Sequence, residues 1–139
     1  MNKQQPPTVF GVFKPTGHTL MAFHTEAEVR SASHALAGLG FGSNLITEYT
    51  AEEMRLQATS ELENAGLMAS FGYELDLLRL HKDLAEHGCS FLIVEAPKPS
   101  QACLVADMLC AMQPAAAQHY GRFLIEDLTE VASGQRKFS

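Results

Sequence analysis

The chain has 139 residues, 46% of them apolar, which is the size of one ordinary domain with enough apolar side chain to build a core. Lys and Arg number 10 against 16 Asp and Glu, a formal charge of −6 without a basic block, so no nucleic-acid partner is expected. No window offers the roughly 18 apolar residues of a membrane span, and the opening MNKQQPP lacks the apolar segment of a secretory signal, so no membrane partner is expected and a soluble, cytoplasmic protein is.

Residues 1–7 read as a disordered start. TVFGVF (8–13) and HTLMAFH (18–24) favour β structure and flank KPTG, whose Pro15 and Gly17 supply turn chemistry, so an opening hairpin is predicted. In the next segment Thr25 and Glu28 stand in capping-box register, and Val29, Ala32, Leu36 and Leu39 recur at helical spacing. Gly40 and Gly42 stop that helix, and SNLITEY (43–49) reads as a strand. Thr50 and Glu53 open a second capping box before a helix over 51–64, and GYELDLLRLHKDLAEHG (72–88) follows as another, ended at Gly88.

CSFLIVEA (89–96) has the continuous apolar character of a strand covered on both sides or centrally paired. PKPS then breaks the pairing, and Ser100 is expected to cap the helix SQACLVADMLCAM. AQHYGRFLIEDL (117–128) reads as a last strand in which Gly121 is a bulge or a start point, followed by a flexible tail over 129–139.

The stretches around 20–49 and 91–128 share one plan of strand, polar turn, helix, small-residue stop and strand. Two such halves with right-handed crossovers predict one α+β domain: a ferredoxin-like split βαβ fold with its helices on one sheet face. In this reading 8–49 holds the N-terminal hairpin strand and the first βαβ half, 50–88 an inserted helical pair, and 89–128 the second half. A small doubly wound sheet with helices on both faces is the alternative. GLGFG lies after a helix and before a strand, the reverse of a dinucleotide-binding loop.

The segments AFHTEAEVRSASHALAGLGF, FGYE, LAEHGCSFLIVEAP and YGRFLIEDL resemble those of small bacterial proteins related to the general-stress, heat-induced (YflT-like) group. That resemblance implies a non-enzymatic, stress-associated protein and carries over no catalytic residues.

Three cysteines, Cys89, Cys103 and Cys110, have spacings that match neither a disulfide framework nor zinc knuckles, so they read as small buried hydrophobes. Cys89 follows a helix C-terminus, where the dipole raises a thiol's pKa. No cofactor is predicted, though a metal is open: Glu74 and His81, seven apart on one helical stripe, could ligate one with Glu53 from the preceding helix. At the strand ends Glu95 and Lys98 are expected to approach His119, Tyr120 and Arg122 as polar groups of a small-molecule site. Met54, Met68, Met108 and Met112 with Phe71 and Tyr73 are candidates for an adaptable apolar groove.

The leading functional expectation is a self-associating binding or regulatory module, because a sheet with all helices on one face needs a twin copy, a homodimer partner, over the other. That expectation fails if residues 51–87 already cover the sheet. The alternatives are a sensor or enzyme with a pocket between the sheet and the inserted helices, and a metal protein using Glu53, Glu74 and His81.

Overall fold

The computed structural model describes residues 1–6, 8–9, 12–13, 15–64, 72–121 and 124–129, leaving out the side chains of residues 8, 9, 12, 13, 64, 72 and 74. Its elements in chain order are β1 (Thr8–Val9), β2 (Val12–Phe13), β3 (His18–Phe23), α1 (Glu26–Gly38), β4 (Ile46–Tyr49), α2 (Ala51–Asn64), α3 (Gly72–Glu86), β5 (Ser90–Glu95), α4 (Pro99–Met112), β6 (Ala116–Tyr120) and β7 (Ile125–Asp127). Among the described residues they make an α+β fold of four helices around a five-stranded antiparallel sheet of order β4-β5-β3-β6-β7.

The two central strands explain the order. β5 pairs with β4 on one side and β3 on the other, and its residues Ser90 to Val94 are buried. β3 pairs with β5 and β6 and is buried from Thr19 to Phe23. Both strands lie between neighbours and between helices, so neither face can be polar. Each fully buried Phe, Leu, Ile or Val in them contributes about 1.5–3 kcal/mol through removal from water.

Alternation divides the sheet into two cores. Met21, Phe23, Leu92, Val94 and Ala117 meet Val29, Ala32 and Leu36 of α1 and Val105 and Leu109 of α4. Leu20, Ala22, Tyr49, Phe91, Ile93 and Tyr120 meet Met54 of α2 and Leu75, Leu77, Leu78 and Ala85 of α3. The sheet is therefore the middle of three layers. This corrects the expectation that all helices lie on one face: α2 and α3 occupy the other one, so among the described residues both faces of the five-stranded sheet are packed against helices.

Each core also holds one buried polar pair. His81 of α3, fully buried, lies with Nε2 3.1 Å from the Gln118 Oε1 on β6, the ring standing edge-on to Phe91 at 5.9 Å. The carboxamide oxygen can only accept, so Nε2 carries the proton and donates. On the opposite face Thr19 Oγ1 and His119 Nδ1 are 2.8 Å apart across β3 and β6.

Three local expectations are corrected. Of the run 8–13, the described residues form β1 and β2, which pair with each other, while both edges of β3 are taken by β5 and β6. The helix after β5 begins one residue ahead of Ser100, with Pro99 in its first turn and the Lys98 N–H donating to Gln101 Oε1 at 3.0 Å. The last strand is two antiparallel strands, β6 and β7, and between them the Gly121 N–H donates to the Leu124 carbonyl at 2.9 Å. A Cβ on Gly121 would stand 2.7 Å from that oxygen, which is why glycine occupies this position.

The capping boxes form as spaced. Thr25 Oγ1 accepts from Glu28 N–H at 3.2 Å and Thr50 Oγ1 from Glu53 N–H at 3.1 Å, with each glutamate bonding back to the threonine N–H. Helices α1 and α3 end alike. Gly40 and Gly88 adopt φ +99 and +90, and the next residue's N–H, of Phe41 or Cys89, reaches back to the Leu36 or Leu84 carbonyl. Leu39, expected on the buried stripe, is 41% exposed, and Phe41 packs into the core in its place.

Candidate ligand-binding clefts

At one end of the sheet Glu95, His18 and Tyr120 stand in a row across β5, β3 and β6. The strand ends thus do bring Glu95, His119 and Tyr120 together, but not onto one surface. Tyr120 faces the α2–α3 core, 1% exposed, whereas His119 faces the other side. Lys98 is exposed at the start of α4, and Arg122 lies outside the described residues.

On the His119 side a cleft of about 400 Å³ is lined by Pro97, Pro99, Cys103, His119, Glu126 and their neighbours. Burial pushes the His119 imidazole below its ordinary range, against the pull of Glu126 and with the nearby His18 ring adding to the depression. Its Nδ1 is already engaged by Thr19. The predicted candidate His119 therefore lines a real concavity, but one whose buried polar atoms are largely satisfied.

A larger cleft, about 900 Å³, lies between the edge strand β4, helix α2 and residues 1–6. Its geometry begins with a six-residue stretch, Glu48-Tyr49-Thr50-Ala51-Glu52-Glu53, in which the last turn of β4 becomes the first turn of α2. Register with Phe91 points Tyr49 into the core, leaving it 2% exposed. Its hydroxyl has no hydrogen-bond partner among the described residues, nor does the Gln57 amide nitrogen one turn along α2. Burial, then the Glu61 and Glu53 carboxylates, push the Tyr49 hydroxyl above the usual tyrosine range, so it stays protonated.

The capping box divides the Glu53 carboxylate. Oε1 accepts from Thr50 N–H at 3.0 Å, and Oε2 accepts from Lys3 Nζ at 2.8 Å. Lys3, with Thr50, holds the Glu53 carboxyl below its ordinary range. The same ammonium donates to the Glu48 carbonyl at 3.0 Å and sits 5.3 Å from the centre of the Tyr49 ring. Of the start expected to be disordered over 1–7, residues 1–4 and 6 line this cleft with β4 and α2. A smaller cleft, about 370 Å³, adjoins on the other side and shares Lys3, Tyr49 and Glu53 as its wall.

Of the expected metal set, two members have other partners and the side chain of one lies outside the described residues. Glu53 is engaged by Lys3 and Thr50, His81 is enclosed against Gln118 and Phe91, and the Glu74 side chain lies outside the described residues. No group of three or more metal-ligating side chains forms among the described residues. Of the cysteines, Cys89 is buried while Cys103 and Cys110 are exposed, correcting the reading of all three as buried. The Cys89 thiol is pushed up, by burial first and the Glu28 carboxylate second. Of the expected apolar groove, Met54 is core, Tyr73 is 47% exposed, Met108 and Met112 pack partly buried beside α1, and Met68 and Phe71 lie outside the described residues.

The sequence reading passed over Lys3 and Tyr49. The Thr50–Glu53 spacing was a signal for a fixed carboxylate, but nothing local pairs it with a lysine 50 residues earlier. No family model, curated protein or solved structure matches the chain. None of the described helices is long and apolar enough to cross a membrane.

Proposed function

We propose that the chain is a non-enzymatic binding module whose ligand site is the cleft between β4, α2 and the N-terminal segment. The observation that carries this reading is the Tyr49 side chain, buried at the cleft wall with its hydroxyl unpartnered among the described residues and the Gln57 nitrogen in the same condition. Buried polar atoms nearly always have partners, so two such donors on one concavity favour an occupant that supplies acceptors or water-bridged contacts. The cleft adjoins the edge strand β4 and the inserted helix α2, which is compatible with the expected pocket beside the inserted helices. Self-association has no part in this reading, since its premise was an uncovered sheet.

The order β4-β5-β3-β6, with α1 linking β3 to β4 and α4 linking β5 to β6 across an intervening strand, supports reading these four strands as a ferredoxin-like split βαβ unit, with β7 added at the edge. The stress-associated role implied by the sequence resemblance belongs to this proposal as its physiological setting: a cytoplasmic bacterial module of this kind responds to a ligand without transforming it.

The test is a small-fragment screen of the full chain by amide-resolved NMR, covering cations, anions and neutral compounds. Shifts that cluster on Thr47, Tyr49, Glu53 and Gln57, and that Gln57→Leu weakens, uphold the site. Shifts that cluster instead on Pro97, Cys103 and His119, or the absence of any cluster, overturn it.

A further inference from the structure

We infer that this cleft takes a primary alkylammonium ion, and that the Lys3 side chain occupies the position of that ligand as a tethered competitor. The inference rests on the binding-module reading and specifies its ligand class. It stands on how the acceptors are held. Glu53 Oε2 is left available because Oε1 is committed to the Thr50 N–H, so the cap orients the carboxylate whether or not a lysine is present. The Glu48 carbonyl belongs to an edge strand, and the Tyr49 ring is locked into the core. Two oxygens and one aromatic face, all supplied by residues 48–53, converge on a single ammonium. An ammonium has three N–H donors and a charge that an aromatic face attracts, so this set matches it in number and kind.

The cation, by contrast, is contributed by a segment with no helix or strand of its own. Its side chain and that of Glu53 retain 38% and 43% exposure, so water can reach the pair and exchange is open. Lys3 lines both the larger and the smaller cleft. Besides Lys3, the linings of the two clefts set the carboxylates of Glu26, Glu48 and Glu53 against two cations, Arg30 and the Met1 amino group. The charge around the position of Lys3 therefore favours a cation over an anion. Tyr49 and Gln57 both line the larger cleft, with the Tyr49 hydroxyl and the Gln57 nitrogen enclosed behind its surface and without a partner among the described residues.

A short tether presents its own ligand at an effective concentration of roughly millimolar order, which lowers the apparent affinity of a free competitor without altering the site. The experiment titrates n-butylammonium into the full wild-type chain and into Lys3→Met, following the amides of Tyr49, Thr50 and Glu53 by NMR, with n-butanol and butyrate as matched neutral and anionic probes. The expected result is about tenfold tighter butylammonium binding to Lys3→Met than to wild type, loss of that gain in Lys3→Met with Glu53→Gln, and no comparable shifts with butanol or butyrate. N-acetyl-lysine-N-methylamide distinguishes the sources: binding as tight as butylammonium assigns a partner's lysine side chain, and its exclusion assigns a free amine, both upholding the ammonium class. Equal affinity of the two chains for butylammonium, or butanol binding as tightly, overturns the inference while the cleft stands as a site. No probe and no fragment binding there overturns the binding-module reading itself. Unchanged far-UV spectra and melting of Lys3→Met establish that the comparison is between folded chains.

Discussion

At the scale of single residues, the chemistry is decided by which side chains are enclosed with a partner and which without. His81 shows the first case most clearly. Burial depresses its imidazole to about 4, against the raising effect of the Gln118 hydrogen bond, so the ring is neutral and Nδ1 is left without a partner among the described residues. The unfolded chain binds a proton near pH 6.5 and the folded one only near 4, so protons favour unfolding throughout that window. Stability is full above pH 6.5 and declines as pH falls toward 4, by about 3 kcal/mol for this one group. His81→Gln keeps an N–H donor for Gln118 and removes the titration. Urea midpoints measured from pH 7 to 4 should therefore fall less steeply in His81→Gln than in wild type, and parallel slopes would contradict the assignment.

Helices and strands are delimited by backbone conformations that only certain residues tolerate. Gly88 ends α3 at φ +90 with open space where a Cβ would go, so Gly88→Ala costs backbone strain alone, about 1 kcal/mol. Gly38 has open space too but no positive φ, and it closes α1 as a helical residue. Gly38→Ala should stabilise by about 0.5–1 kcal/mol through helix propensity. Opposite shifts in thermal midpoint check the pair, and shifts of the same sign would refute it. Thr50→Ala removes the cap of α2, for a loss of about 1 kcal/mol in denaturant unfolding. The Thr50 N–H that holds the Glu53 carboxylate survives in this variant, so the contact with Lys3 is expected to persist.

Over the whole molecule, the arrangement of layers settles what the surface can do. Helices α1 and α4 on one side and α2 and α3 on the other pack against both faces of the five-stranded sheet, and the large exposed apolar side chains among the described residues are scattered over several elements. Isolated exposed leucines are ordinary on a single chain and do not amount to an interface. Sedimentation at about 50 µM, a concentration at which standard-size specific interfaces associate, should thus find a monomer, and a dimer would show that another surface carries self-association.

Local patterns in the chain determined most of its elements. Capping boxes at Thr25 and Thr50, the glycine stops at Gly40 and Gly88, and the unbroken apolar run of β5 all act over a few residues, so each was legible where it stood. Pairing and layering act over long separations. That β1 and β2 would pair with each other beside a β3 flanked by β5 and β6, and that α2 and α3 would take the second sheet face, depended on which edges and faces other elements had already filled. The candidate site divides the same way. Its carboxylate was implicit in the Thr50–Glu53 spacing, whereas the placing of Lys3 over Tyr49 was decided only when the folded sheet edge brought residue 3 beside residues 48–53, because an ion pair requires proximity in space and neither partner carries a local mark of the other.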